Sequence, residues 1–203
     1  MIGKETYTLL GKGIHSLFVL TIVNVISGLF ANDSIVPLFP SLYLIATLIS
    51  CGCTIGYGCI LIKLGVADDQ YKTAGILSLV CSGAELLVAM MGGLGGVALL
   101  ISIVILIGGF FAEYSECMAH SYMLKGIDDI MSYRWVDIWK WFLGGSCALL
   151  AGTIMTIIIP ILGALAVLIA SIVLVGVSIW KMSTLNNTSK FFKGYSTNPE
   201  HIL

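Results

Sequence analysis

Apolar residues along this chain fall into six long runs separated by short polar segments. The runs cover residues 14–30, 42–64, 73–91, 95–117, 139–159 and 160–180. Each is long enough to cross ~30 Å of hydrocarbon at ~1.5 Å per residue. They are continuous and lack the in–out alternation of a barrel strand. The pattern therefore predicts an all-α integral membrane protein: one domain over residues 1–203 with six transmembrane helices, and residues 181–203 as a cytoplasmic tail. The fourth run stays compatible with a helix to about Lys125, interrupted only by Gly108-Gly109. Some 30 residues make ~45 Å of helix, so its end should project into the cytoplasm.

The polar segments after the even-numbered runs look alike. Gly58, Lys63, Asp68-Asp69 and Lys72 fall opposite Gly176, Lys181, Asn186-Asn187 and Lys190 at a constant offset. Between them, Gly126-Ile127-Asp128-Asp129 with Tyr133-Arg134 resembles Gly65-Val66-Ala67-Asp68-Asp69 with Tyr71-Lys72 once small gaps are allowed. The unit implied is a two-helix hairpin of about 60 residues, used three times in parallel, an arrangement in which sites can form at repeat interfaces.

Composition narrows the class further. The chain is 58% hydrophobic and 10% charged, with mean hydropathy +1.03. A soluble domain is nearer a quarter charged, so a water-soluble enzyme and a disordered scaffold are excluded. The net charge of -1 offers no basic field, and nucleic acid is not expected as a partner. The expected partners are the lipid bilayer and either a membrane protein or further copies of the chain. All ten Lys and Arg lie at the same set of helix ends: Lys4, Lys12, Lys63, Lys72, Lys125, Arg134, Lys140, Lys181, Lys190 and Lys193. By the positive-inside rule both termini are cytoplasmic and the protein is a multi-pass component of the cell membrane. The first run is too long for a signal-peptide core, and Leu29 is ill suited to a cut after Ala31, so an uncleaved helix is expected. Trp135, Trp139 and Trp141 beside Arg134 and Lys140, and Trp180 before Lys181, read as anchors at the headgroup level.

Against this apolar background a few polar residues carry the candidate chemistry. Glu85 lies about twelve residues into the third run, ~18 Å along, where a bare carboxylate costs at least ~2.5 kcal/mol. Ser78, Cys81, Ser82 and Ala89 form a small-residue stripe beside it. Glu85 should therefore face the bundle interior, with Asn24 as candidate partner and Ser82 close by as ligand- or ion-binding neighbours. Glu113, Glu116, Cys117 and His120 share one face of the fourth helix. Carboxylate and imidazole at that spacing can hold a divalent cation, although one helix supplies few ligands and His-Glu-x-x-His and Cys-x-x-Cys are both missing. The alternatives are ion pairs with Lys63, Arg134 or His15, or a cytoplasmic mouth that attracts cations.

Other features read as structural. Gly92-Gly93 and Gly95-Gly96 suit a tight outer turn, and the segment 51–58 suits close helix packing. The six cysteines lie in or at the ends of apolar runs with no disulfide or zinc spacing. Asn32-Asp33-Ser34 fits an N-glycosylation acceptor, within an outer connection, 31–41, stiffened by Pro37 and Pro40.

Two functions follow. The first is binding or transport of a small solute or ion through a cavity lined by Glu85. In helix number, length and orientation the chain is similar to the substrate-capture subunits of energy-coupling-factor vitamin importers, with no motif residue behind the likeness. The second is a non-transporting accessory, immunity-type or regulatory membrane protein acting through a protein partner. Enzymatic activity is less expected, since only the Glu113–His120 face approaches a reactive set, and no cofactor is expected.

Overall fold

The computed structural model describes residues 4–30, 40–90 and 95–197. Their regular structure is helical throughout, in six elements: α1 (Lys4–Phe30), α2 (Pro40–Leu64), α3 (Asp69–Met90), α4 (Gly95–Leu124), α5 (Asp129–Ile158) and α6 (Pro160–Thr197). All six are long and apolar enough to cross a membrane. The helices outrun the apolar runs at their basic ends. α1 and α5 begin ten residues before residues 14 and 139, and α3 begins four before residue 73. Residues 181–197, expected as part of a tail, continue α6. The reason is physical: an apolar run marks what can sit in hydrocarbon, whereas a helix continues as long as its backbone is paired and one face is packed. The outer connection at residues 31–39, with Asn32-Asp33-Ser34, and Gly92-Gly93 lie outside the described residues.

The chain divides into two compact units. The first comprises residues 1–119 and 185–203, the second His120–Thr184.

In the first unit α2 packs on both α1 and α3. The α2–α3 contact is backbone to backbone. A Cβ placed on Gly75 would stand 2.6 Å from the Gly58 carbonyl oxygen and 2.8 Å from the Ile62 nitrogen. On α1, a Cβ on Gly13 would overlap Leu64 of α2, and a Cβ on Gly108 of α4 would meet the Cys81 sulfur of α3 at 2.7 Å. The core sits at the basic ends, where Leu10, Ile14, Leu17, Leu61, Leu64, Tyr71, Ala74 and Phe192 are all inaccessible or nearly so. The opposite halves expose Val25, Ile26, Leu29, Leu44, Leu48, Leu87 and Val104. In the most apolar window of each of the six helices only 17–22% of positions are buried. That much exposed apolar surface suits hydrocarbon as solvent and not water.

In the second unit a single residue, Ile159, joins α5 to α6. Pro160 takes the first helical position, where its missing N–H is no loss. The two helices then close together through glycines: a Cβ on Gly163 would lie 2.2 Å from the Thr156 nitrogen, one on Gly152 3.0 Å from the Val167 nitrogen, and one on Gly145 2.9 Å from Leu174. At the basic end Leu124, Trp135 and Ile138 are fully buried.

The two described turns at basic ends have the same build, in a register of 60 residues without gaps. After α2 the Ala67 amide donates to the Leu64 carbonyl at 2.8 Å; after α4 the Ile127 amide donates to Leu124 at 2.9 Å. The next residue in each is an aspartate that receives an amide of the following helix, Asp68 from Gln70 at 2.8 Å and Asp128 from Met131 at 3.0 Å. Such capping satisfies one of the amides a helix start leaves unpaired. Gly126, at φ 79°, takes the left-handed conformation that ends α4. The Asn186-Asn187 pair, expected to mark a third such exit, forms no turn. It is carried inside α6, whose neighbouring Thr184, Leu185, Thr188 and Ser189 are buried.

Gly75→Ala is expected to cost about 2 kcal/mol by forcing α2 and α3 apart. Gly83→Ala, on the same helix with no neighbouring atom within 4 Å of its Cβ position, should be neutral or gain about 0.5 kcal/mol through helix propensity. Thermal unfolding of the two variants in mild detergent distinguishes them.

Candidate functional site

Glu85 is exposed on α3. Because α3 starts at Asp69, Glu85 lies sixteen residues in, about 24 Å along the axis. It stands three residues before Val88, where the candidate span ends, and so in the half of the helix away from the basic end. The interior, mid-span setting expected for it is replaced by an open one. The small-residue stripe behind it does pack. Cys81, one turn back, approaches the Ile105 carbonyl oxygen of α4 at 3.6 Å, and Ser78, Cys81 and Ser82 are half-buried.

The residues expected to accompany Glu85 are engaged elsewhere. The Ser50 hydroxyl of α2 donates to the Asn24 side-chain oxygen at 2.6 Å, tying α1 to α2. The Ser82 hydroxyl donates to the Ser78 carbonyl within α3 at 2.8 Å. Among the described residues no hydrogen bond joins Glu85, Asn24 and Ser82.

The second constellation lies deeper than a polar face. Glu116 is 3% exposed, and its Oε1 accepts a hydrogen bond from the Tyr57 hydroxyl of α2. Tyr71 of α3, fully buried, lies within electrostatic reach of the same carboxyl. Three helices of the first unit thus converge on Glu116. Glu113 is half-buried, with the Cys117 sulfur 3.9 Å from its Oε1. In the second unit His120 is fully buried and stacks on Trp135, with ring centroids 4.2 Å apart and planes inclined by 21°. Beside it Ser121 and Ser132 are joined through their hydroxyls at 2.9 Å, and Ser132 also donates to the Ser121 carbonyl.

These placements change several expectations. Lys63, Arg134 and His15 are exposed and form no ion pair among the described residues, so the acids on α4 are not held that way. Nor, among the described residues, do three or more His, Cys, Asp or Glu side chains converge as a metal site. Trp135, read as a headgroup anchor, is a core residue, whereas Trp141 is 58% exposed. None of the six cysteines is in a disulfide, and Cys53 and Cys117 are buried. Neither Tyr57 nor Tyr71 is expected at this site from the sequence, where Tyr71 marks only the repeated helix exit. Tyr57 had one visible sign, an aromatic ring between Gly56 and Gly58 in a segment otherwise built for close packing.

Comparison with known proteins finds no family, no curated protein and no solved structure that matches this chain.

A buried acceptor that loses its donor costs about 1–3 kcal/mol, more where it is charged. Tyr57→Phe removes one of the donors around Glu116 and should lower stability in detergent by about 1–2 kcal/mol. Glu116→Gln keeps an oxygen for the Tyr57 hydroxyl and should be the milder change; no loss on Tyr57→Phe would show that the hydroxyl–carboxyl bond contributes nothing.

Proposed function

We propose that this chain is a small multi-pass membrane protein that binds or transports a small solute or ion, with Glu85 as the carboxyl that meets it. The observation behind this reading is the exposure of Glu85 far along an apolar helix. Hydrocarbon is a poor medium for a carboxylate, so a membrane-spanning helix keeps one on its surface where water, a ligand or another protein meets it. A carboxylate only accepts hydrogen bonds and attracts positive charge, so the solute is a cation or a molecule rich in donors. The confinement of basic residues to one set of ends supports cytoplasmic termini in the cell membrane. With that orientation Glu85 lies toward the outer leaflet and is approached from outside. The shared build of the turns at 64–69 and 124–129 supports a parallel repeat of two-helix hairpins.

A second reading, action through a membrane protein partner or a second copy, is favoured by the setting of Glu85 on α3. Val80, Leu86 and Leu87 around it are 62%, 55% and 61% exposed, and Gly83 leaves open space at its Cβ position. That composition suits a second helix lying across the carboxyl.

Native mass spectrometry of the protein released from mild detergent, with Glu85→Gln alongside, separates the two. Solute binding predicts a small-molecule or ion adduct in the wild type that the variant loses while still folding. Partner action predicts a co-purifying protein or oligomer mass that the variant loses, and no small adduct. The orientation has its own check: a protease site appended after Leu203 should be cut in inside-out vesicles and protected in right-side-out ones.

A further inference from the structure

The end of α6 docks on the start of α1, within the first unit. The Ser189 hydroxyl, buried, donates to the Gly11 carbonyl at 2.8 Å. A Cβ on Gly11 would meet the Lys193 Cγ at 2.9 Å and the Lys193 nitrogen at 3.0 Å, so the Lys193 stem lies against α1 at Gly11, the residue before Lys12. On one flank of the contact, aromatic rings lock together: Tyr7 with Tyr195 at 4.8 Å edge to face, Tyr7 with Phe192 at 6.0 Å, and Phe191 with Tyr195 at 6.0 Å. On the other flank Lys190 and Lys193, three apart on the helix, are exposed, as is Lys12.

Nothing in the described residues neutralises these three ammonium groups. None of them makes an ion pair there. α6 carries no acidic residue along its whole length, and α1 carries Glu5 alone. The groups are not needed to cap α6 either, since the Lys193 carbonyl already accepts the Ser196 and Thr197 hydroxyls, at 2.8 and 3.2 Å. Their depth is also defined. The continuous apolar run of α1 begins at Ile14, just past Lys12, so the contact stands where hydrocarbon gives way to headgroups.

We propose that the α1–α6 contact is a binding site for the headgroup phosphate of an anionic phospholipid, held by Lys12, Lys190 and Lys193. The folded end of α6 brings together lysines some 180 residues apart in sequence, while the Tyr7–Tyr195 side fixes the helix end in the interfacial layer where aromatic rings settle. A lysine next to an anionic surface strengthens attachment about fivefold, so three give roughly a hundredfold preference over a zwitterionic lipid. The site is separate from Glu85 and does not depend on what Glu85 binds.

The test is native mass spectrometry of the full chain titrated with phosphatidylglycerol and, separately, phosphatidylcholine of the same acyl chains. The wild type should retain phosphatidylglycerol in clear preference. Lys12→Gln and Lys190→Gln, at exposed positions, should each reduce that preference about fivefold, and the triple variant with Lys193→Gln should abolish it. A control triple at Lys63, Lys125 and Lys140, with the same loss of charge, should leave it unchanged. The proposal is overturned if the wild type shows no preference, if the single variants keep it whole, or if the control loses as much as the test set.

Discussion

The backbone contact between α2 and α3 at Gly58 and Gly75 fixes the placement of a buried carboxyl in the first unit, Glu116. Tyr57 precedes one glycine, and Tyr71 lies one turn before the other. With no Cβ on either helix, α2 and α3 approach until a carbonyl oxygen of one nearly touches the α-carbon of the other. That closeness is what allows rings from two helices to be directed at one carboxyl on a third. Had either position carried a side chain, the helices would stand further apart, and Glu116 would face a gap too wide for a phenol to span. In a membrane helix, where apolar side chains gain little by meeting each other, such close packing is a main source of association energy.

The polar groups also divide by depth. Most of the buried ones, among them Glu116, His120, Ser121, Ser132, Thr184, Thr188 and Ser189, lie near the basic ends, with Ser27 of α1 the exception at the other end. Glu116, Ser121, Ser132, Thr184 and Ser189 each make a hydrogen bond, as low-dielectric burial requires, while the His120 ring lies on Trp135. Glu85 breaks the rule by being both deep in sequence terms and exposed. Glu116 is held within the fold by a phenol, whereas Glu85 is exposed, and it is on that exposure that the proposed binding role rests.

How much of this the sequence carried depends on the range over which the information is local. Six runs of apolar residues state the number of helices outright, and the far end of α4 could be followed through Glu113 to His120 because no proline or glycine cluster stops it. The polar starts of α1 and α5 could not, since Lys4 to Gly13 and Asp129 to Ile138 have ordinary soluble-helix composition and become legible as helix only once their packed faces are known. Asn186-Asn187 misled for the opposite reason: two good turn formers were held in a helix by buried neighbours that pack on a segment near the other end of the chain. Glu116 and Tyr57 are 59 residues apart, and Asn24 and Ser50 are 26 apart. No local pattern announces such pairs, so a carboxyl's partner was sought among charged residues and found on a phenol.

The one-residue connection at Ile159 bears on how the chain enters a bilayer. α5 and α6 leave no length of chain between them that could wait in water while the second follows. In a bilayer such a pair would enter as a single hairpin, already joined at the Thr156–Gly163 contact. On that route a polar substitution in either helix would be felt as a failure of both. Insertion of this half of the chain would then be one event and not two.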